Sequence, residues 1–559
     1  MSVISKSPEE TASIHGIGAD VLRQEEARHP REGMPKWQWQ IIILGNGIMS
    51  LVNGYDVSNV ANVQILIYKA FGHIELLPWI SLAYSVVNMA TIPLARKLTG
   101  ICELRTLCLV SCLLVMAGSA LSGAAPNVQA VIVGRALLAL GGAPMYQIAL
   151  TYNVVFAYPH ELGLAQAVLG AFFAVGLITG PIIGGAFADN EHTTWRWAFY
   201  IVLPLTALVS LCIFFYPSYR VPSRKSALTN LKEFDWIGCV LHIGTFILLG
   251  LSCIFSGPTW AWNSGSTIAV WVLLGVVFAA YVAQQTLCLF TTPERRIFPV
   301  SILRKSRVVV LTFVCSTCNA VCYGVNLYYT PIYFAFTRGY GPLAAAVRLL
   351  PFVCVFIVMT FFSGGLLPAV KYYMPFYVVG GILILVGAGV EQTITAHSSE
   401  AKVLGLEALI GAGVGLLWQL AAPVSTMVLE PHERLDAMAL VNMAALGGTA
   451  IALSIAGTIY QNVGYILVES ALDGFGYSSH DVRELLAGAD SPILRGGHPE
   501  VLVLVVDAIT KTILRCFYIT LAASAICFIA ACCMKFEALP FKKPEAPKGS
   551  ESAEKTPSV

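Results

Sequence analysis

The chain has 559 residues, of which 57% are hydrophobic and only 12% are charged, and its mean hydropathy is +0.72. Soluble domains carry about 25% charged residues, so this composition excludes a soluble globular protein. The net charge is +2 and no basic stretch is interleaved with aromatic residues, which excludes nucleic acid as a partner.

The amino-terminal segment, residues 1–37, is polar and precedes the first apolar run. It lacks the basic segment and short apolar core of a cleavable secretory signal. We therefore expect a disordered cytosolic tail, with the first apolar run directing membrane insertion.

Apolar runs of about 20 residues, enough to cross a hydrocarbon core of roughly 30 Å, recur along the whole chain. The first six runs are 41–63, 77–95, 105–123, 129–150, 163–188 and 195–216. The remaining eight runs are 236–256, 268–291, 308–335, 343–367, 374–393, 403–429, 436–460 and 509–534. This pattern predicts an all-α polytopic membrane protein with about fourteen transmembrane helices.

The charges of the short connections indicate the orientation of these helices. One set of loops is rich in cations: Arg96, Lys97, Arg105, Arg220, Arg224, Lys225, Lys232, Arg295, Arg296, Arg304, Lys305 and Arg307. The opposite loops hold little more than Lys69, Arg338 and Lys402. By the positive-inside rule, the cation-rich loops and both termini are cytosolic.

The order of the runs predicts two related halves. We expect a six-helix bundle over 38–217, a linker with two inserted transmembrane helices over 218–307, a second six-helix bundle over 308–534, and a disordered cytosolic tail over 535–559. Residues 461–508 form one external loop, which we interpret as a solvated connector in preference to a cap. Duplicated bundles are typical of transporters that bind their substrate near the membrane midplane.

Charges inside apolar runs are costly and therefore suggest a function; Asp56 and Arg135 are the clearest of them. Asp56 is about seven residues from the outer end of its helix and Arg135 about six, so both lie roughly 10 Å below that surface. They can therefore meet. An aspartate that alternates between Arg135 and a proton could couple transport to a proton gradient. For Asp56 a permanent structural ion pair is the equal alternative, and for Arg135 the structural role is favoured.

A run of small residues occupies the fifth predicted helix. Gly176, Gly180 and Gly184 recur every four residues and so line one stripe, Pro181 interrupts the helical hydrogen bonding, and Gly185 ends the run. On physical grounds this stripe predicts close helix packing and no more.

This run resembles the antiporter motif of the major facilitator superfamily. Other stretches are similar to fourteen-helix drug:proton antiporters of that family: Gly134 and Arg135 before Gly141 and Gly142, Asp189 with 194–200, 235–238, 328–334 and 348–352. The chain is most similar to fungal carriers that export toxins, secondary metabolites or drugs. The resemblance implies the major facilitator fold, two six-helix bundles plus two inserted helices, and proton-coupled export by alternating access.

By the same resemblance, certain helices of each half line the substrate cavity. Their polar and aromatic candidates are Gln147, Asn319, Tyr323, Asn326, Trp418 and Gln419, a mixture suited to a drug-sized amphipathic molecule. Interhelical hydrogen bonding is the alternative role for each of them. We interpret Glu391 and Glu407 as boundary residues near the external surface, with ion coupling as the alternative.

Two stretches depart from the family pattern. The loop over 96–105 lacks the usual aspartate, so the cytosolic latch that this aspartate forms is in doubt. The segment 57–64, after Asp56, is more polar than usual and lacks a proline. The second departure suggests a polar cavity wall and a polar substrate.

Other functions are open at this stage. Proton-driven uptake, for example of an iron–siderophore chelate, and a non-transporting sensor are the alternatives on the same fold. We expect no enzyme activity, no cofactor and no metal, and the chain has no P-loop for an ATP-driven pump. The expected partners are the substrate, protons and the lipid bilayer. We expect a monomer in the plasma membrane, with the vacuolar membrane as the alternative.

Overall fold

A computed structural model of the protein describes residues 29–71, 77–189, 194–220, 229, 232–257, 260–293, 295–430, 433–487 and 499–539. Within these ranges the regular structure is helical, and the two β-bridges, Ser256–Trp260 and Tyr372–Ala538, are isolated. Most of both predicted tails lies outside these ranges, as do the predicted cytosolic cations Arg224 and Lys225.

The first half contains the helices that we number α1 (Lys36–Phe71), α2 (Leu77–Ile101), α3 (Leu104–Gly123), α4 (Val128–Phe156), α5 (Leu162–Asp189), α6 (Trp197–Tyr200) and α7 (Val202–Ile213). Polar residues between the apolar runs set helix ends: Asn127, for example, accepts a hydrogen bond from the backbone N–H of Ala130 at 2.8 Å and caps α4. α6 and α7 together take the place of the sixth predicted helix.

The inserted pair is α8 (Trp236–Phe255) and α9 (Gly265–Leu287). The second half contains α10 (Val300–Lys305), α11 (Arg307–Arg338), α12 (Pro342–Val347), α13 (Leu350–Val370), α14 (Met374–Glu391), α15 (Glu400–Trp418), α16 (Ala421–Val428), α17 (Arg434–Ala471), α18 (Ser479–Ala487) and α19 (Pro499–Cys532).

Eleven helices among the described residues are long and apolar enough to cross a membrane. α1, α2 and the shorter α6–α7 segment take the positions of the other three predicted crossings. The fold class predicted from the apolar runs, about fourteen membrane-spanning helices without a sheet, agrees with this architecture.

Several predicted helix ends are wrong by a turn or more. α1 continues to Phe71 where the apolar run ends at 63, α17 continues to Ala471 where 460 was expected, and α19 begins at Pro499 where 509 was expected. Hydropathy marks only the part of a helix that lipid surrounds. Backbone hydrogen bonding continues beyond that part because every N–H and C=O still needs a partner.

The external segment 461–508 is therefore much shorter as a loop than predicted, and its described part is not a plain solvated connector. α18 lies within it and buries Val482, Leu485 and Leu486 against the outer ends of neighbouring helices. The Tyr460 hydroxyl of α17 donates to the carbonyl of Leu486 at 3.2 Å. α18 is thus an amphipathic cap on the second half.

The inserted pair rests on both halves. On α8, buried His242 lies 3.0 Å from the hydroxyl of Tyr281 on α9 and 3.4 Å from the carbonyl of Met89 on α2. At the other end of α8, Thr458 of α17 donates to the carbonyl of Cys253 at 2.9 Å. α8 therefore contacts both α2 of the first half and α17 of the second half.

Candidate transport site

The Asp56–Arg135 pair lies between α1 and α4, at the common depth that sequence distance predicts. Arg135 Nη1 is 2.5 Å from Asp56 Oδ1, and the two side chains are 1% and 0% exposed. The guanidinium also donates to the carbonyl of Ile80 at 3.2 Å and lies 4.6 Å from the ring centre of Tyr84. Arg135 is therefore held by α2 as well as by Asp56.

One oxygen of this aspartate, Oδ2, is buried without a hydrogen-bond partner. A buried unpaired carboxylate oxygen is costly, and it leaves Asp56 able to accept a proton without first losing another hydrogen bond. Removing either charge from a buried pair costs about 3–5 kcal/mol because the other charge stays behind. The free energy of protonating Asp56 thus depends on whether Arg135 is paired with it.

The described polar side chains near Asp56 on α1 form hydrogen bonds to backbone carbonyls. Asn59 donates from Nδ2 to the carbonyl of Ala198 at 3.0 Å, and the Tyr55 hydroxyl donates to the same carbonyl at 2.8 Å. Ser58 donates to carbonyls of its own helix. Tyr55 and Asn59 thus tie α1 to the start of the sixth crossing. The side chains at 60–62 and 64 lie outside the described residues, so the polar cavity wall stays a prediction.

The glycine stripe of α5 lies directly against the backbone of α1. A Cβ added at Gly176 would overlap the carbonyl oxygen of Leu51, and one at Gly180 would come within 2.9 Å of the Tyr55 carbonyl oxygen. Gly184 faces the Asn59 carbonyl at 3.4 Å. Pro181 lies within the helix. Gly185 is also on α5, but its surroundings are outside the described part of the structure.

Aromatic residues from both halves meet at the centre of the molecule. The rings of Tyr323 and Trp418 are 4.6 Å apart, and Phe173 of α5 stacks on Trp418 at 6.3 Å. Tyr146 of α4 lies 6.2 Å from Phe173 and interacts with Gln419. We call these five residues the central cluster. It contains three of the predicted cavity residues, Tyr323, Trp418 and Gln419.

Gln147, another predicted cavity residue, pairs across the two halves. Its side-chain oxygen accepts from Nδ2 of Asn442 on α17 at 2.9 Å, while Gln147 Nε2 and Asn442 Oδ1 are buried without partners. Asn442 is not among the predicted site residues, although an asparagine inside an apolar run is a visible signal. Gln166 of α5, also not predicted, is fully buried and has both amide atoms unpaired.

The two asparagines of α11 are not part of the central cluster. Asn319 donates to the carbonyl of Val414 on α15 at 3.2 Å, and Asn326 donates to the carbonyl of Cys322 on its own helix at 2.9 Å. Both leave Oδ1 buried and unpaired. On α11 they lie on either side of Tyr323, a residue of the cluster.

The interpretation of Glu391 and Glu407 as boundary residues is wrong. Their sequence positions are near helix ends, but the side chains are only 1% and 2% exposed, because α11, α14 and α15 close around them. Sequence distance from a helix end measures depth and not enclosure by neighbouring helices, so it misses this burial.

A salt bridge joins the two halves at the ends that the loop charges predict to be cytosolic. Arg96 of α2 lies 3.0 Å from Asp436 of α17, and Lys97 also interacts electrostatically with Asp436. The loop over 96–105, which lacks the usual aspartate, is thus in contact with an aspartate of the opposite half. In that loop, hydrogen bonds from Ser218 and Thr106 hold the pKa of exposed Glu103 below its usual value.

Breaking this salt bridge should loosen the cytosolic contact. Asp436→Asn is expected to raise amide hydrogen exchange at the cytosolic ends of α2 and α17 by up to about fivefold, since a partly exposed ion pair is worth about 1 kcal/mol or less. Glu430→Gln, which breaks a pair with Lys305 inside one half, is the control. Restored protection in Arg96→Asp with Asp436→Arg would support the pairing, and unchanged exchange in Asp436→Asn would contradict it.

Comparison with known proteins agrees with this architecture. The Major Facilitator Superfamily profile matches residues 47–398, more than half of the chain. "Efflux pump patC" of Aspergillus clavatus is 31% identical, with 89% of this chain and 90% of that protein aligned. "MFS-type transporter pgmG" of Aspergillus terreus is also 31% identical, over 96% of this chain and 95% of its own length.

A solved structure with the same fold is that of the proton:xylose symporter XylE bound to 6-bromo-6-deoxy-D-glucose. It covers 84% of this chain and 95% of its own, with a TM-score of 0.53 and 14% identity, a likeness that concerns the fold alone. The family and fold class predicted from the motifs are confirmed. The chain therefore belongs to the major facilitator superfamily and is a multi-pass membrane transporter of small molecules.

Proposed function

We propose that this transporter exports a small organic molecule, such as a toxin, a secondary metabolite or a drug, in exchange for protons by alternating access. The observation that carries the proposal is the buried Asp56–Arg135 pair with its unpaired carboxylate oxygen. The direction of transport is supported by the relatives. One of them, which aligns with this chain over 90% of its own length, is named an efflux pump.

Proton binding changes how α1 is held. When Asp56 takes up a proton, it loses its charge and its attraction to Arg135 weakens, while the Ile80 carbonyl and the Tyr84 ring still hold the guanidinium on α2. α1 is then held less tightly to α4. A ligand that changes the balance between two packings shifts the population of conformations, so a proton gradient can drive the cycle.

The motion of α1 reaches the central cluster through α5. The glycine stripe places the backbones of α1 and α5 in contact, and Phe173 of α5 stacks on Trp418 of the second half. Protonation at Asp56 and occupancy of the cluster therefore bias the same packed elements, which is the physical requirement for coupling two ligands.

The chemistry of the cluster favours a planar, largely apolar substrate with a few polar groups. Trp418, Tyr323 and Phe173 offer ring faces, and the Tyr323 hydroxyl is a buried group without a partner. Gln147 Nε2 and Asn442 Oδ1 add one unpaired donor and one unpaired acceptor. A few convergent polar groups in an aromatic surrounding are typical of small-molecule sites.

Direction is tested by comparing metabolites inside and outside cells with and without the carrier. Export predicts that its substrate accumulates inside the deletion strain and is depleted outside, and that reintroducing the wild-type chain reverses both changes. Depletion inside the deletion strain would instead indicate uptake. An unchanged metabolite profile together with an altered transcriptional response would favour a sensor. A fluorescent fusion separates the plasma membrane, which we favour, from the vacuolar membrane.

A further inference from the structure

A second buried acidic site lies in the other half of the molecule, between α14 and α15. These helices are antiparallel and closely packed: a Cβ at Gly387 would lie 2.5 Å from Ile410 Cγ1, and one at Gly413 would lie 2.7 Å from the Gly380 carbonyl oxygen. Glu391 is one turn outward from Gly387, and Glu407 is about one turn outward from Ile410. The register therefore sets the two glutamates opposite each other.

The partners of this pair are few and mostly neutral. Glu407 Oε1 accepts a hydrogen bond from the Thr330 hydroxyl of α11 at 2.6 Å. The other oxygen of Glu407 and Oε2 of Glu391 are buried without partners. The two carboxyl groups interact electrostatically with each other, and Glu391 also interacts with the thiol of Cys322 on α11.

The cations near this level of the membrane are engaged elsewhere. Within the described ranges, no lysine, arginine or histidine forms an ion pair with either glutamate. Charged groups on the surrounding elements have other contacts: Arg348 with Glu400 and the Tyr340 ring, Arg338 with the Ser398 carbonyl, Lys402 with the Thr393 carbonyl, Lys511 with Asp507, and Arg515 over the Tyr518 ring. The Tyr333 hydroxyl donates to the Thr395 carbonyl.

Two facing carboxylates cannot both stay ionised in such a site. Burial without a cation disfavours each charge, and the two charges repel each other. A shared proton removes one charge and supplies a donor for one of the unpaired oxygens, as in paired carboxyl sites of other proteins. A proton is therefore the ligand that fits this site, because it neutralises one charge and lets one of the unpaired carboxyl oxygens donate a hydrogen bond.

We propose that Glu391 and Glu407 hold a shared proton and form a second proton-binding site, separate from Asp56 and positioned by Thr330. Proton binding by this pair does not depend on the proposed export function. A role of the pair in coupling does rest on the proposed export function. The connection between the pair and the central cluster along one face of α11 supports that role.

That face connects the pair to the central cluster. Asn319, Asn326 and Thr330 are spaced by seven and four residues, which places them on one stripe of a helix with about 3.6 residues per turn. Asn326 is fully buried with Oδ1 unpaired, one turn inward from Thr330. Tyr323 of the cluster is another turn inward, so a change of charge at the pair acts on the same helix that contacts the substrate region.

The test uses the full chain in lipid nanodiscs and infrared spectroscopy of carboxyl groups. Wild type is expected to show a protonated-carboxyl band at neutral pH that is lost in the double variant Glu391→Gln, Glu407→Gln. Glu400→Gln, which removes a partly exposed glutamate paired with Arg348, should keep the band. Retention of the full band in the double variant, or a band in wild type that responds to Na⁺ or K⁺ at constant pH, would overturn the assignment.

Transport in proteoliposomes separates binding from coupling. The double variant should lose about tenfold in stimulation by a pH gradient while it still exchanges substrate across the membrane without a gradient. Full stimulation would remove the pair from coupling. If wild-type flux is itself insensitive to a pH gradient, the proposed antiport fails while the infrared result still stands. If the double variant does not fold, loss of part of the band in Glu407→Gln alone tests the same assignment.

Discussion

Asp56→Asn is expected to reduce proton-driven transport to below about one-hundredth of wild type, because an amide replaces the carboxyl group that is proposed to carry the proton inside the membrane. Asparagine has nearly the same shape and can still accept from Arg135 Nη1, so the helices should stay packed. It cannot bind and release a proton. Flux in proteoliposomes under an imposed pH gradient measures the effect.

The matched control for this experiment is Asp507→Asn. Asp507 is an aspartate of α19 whose side chain is 53% exposed and paired with Lys511, so its loss should leave transport unchanged. Size-exclusion profile and thermal unfolding establish that each variant is folded. Gradient-driven flux that persists in Asp56→Asn would remove this residue from the coupling mechanism and favour a purely structural ion pair.

Gly180→Leu is expected to abolish transport. The Cβ of any residue at this position would meet the Ser58 hydroxyl, lie 2.9 Å from the Tyr55 carbonyl oxygen and lie 3.0 Å from the Asn59 backbone nitrogen. Backbone atoms of a packed helix cannot move aside as a flexible side chain can. Overpacking of this kind costs about 1–3 kcal/mol or more, and here it separates α5 from α1.

Two further substitutions make this result interpretable. Gly275→Leu on α9 is the matched control, since a Cβ there meets nothing within 4 Å, and it should transport normally. Gly180→Ala should show an intermediate loss of turnover. Substrate binding is measured together with turnover. Binding without turnover indicates a blocked motion of α5 on α1, whereas loss of both indicates that the binding site has collapsed. Normal turnover in Gly180→Leu would mean that close packing of α5 on α1 is not needed.

Much of the site lay beyond prediction from the sequence because its members are distant in the chain. Gln147 and Asn442 form a hydrogen bond between helices from different halves, and Arg96 and Asp436 form a salt bridge of the same kind. Each partner was visible as a polar residue near or within an apolar run. Which pairs meet depends on how each helix is rotated about its axis, and that rotation follows from packing across the whole molecule.

Burial was also misjudged where only depth could be estimated. Asp56 and Arg135 could be matched because distance from a helix end converts directly into depth at 1.5 Å per residue, and their helices do bring them together. The same estimate placed Glu391 and Glu407 near the outer boundary, yet three helices enclose them. Depth is a property of one helix, whereas enclosure is a property of its neighbours.

Local composition is enough to show that this chain lies in lipid, about how often it crosses and which family it resembles. Those properties can be predicted because the cost of placing a residue in hydrocarbon is set residue by residue. The partners became visible in the folded protein alone: the contacts of α8 with both halves, the cap formed by α18, the salt bridge of Arg96 with Asp436 and the facing glutamates. Helix rotation and register set those contacts, and they result from the packing of many side chains at once.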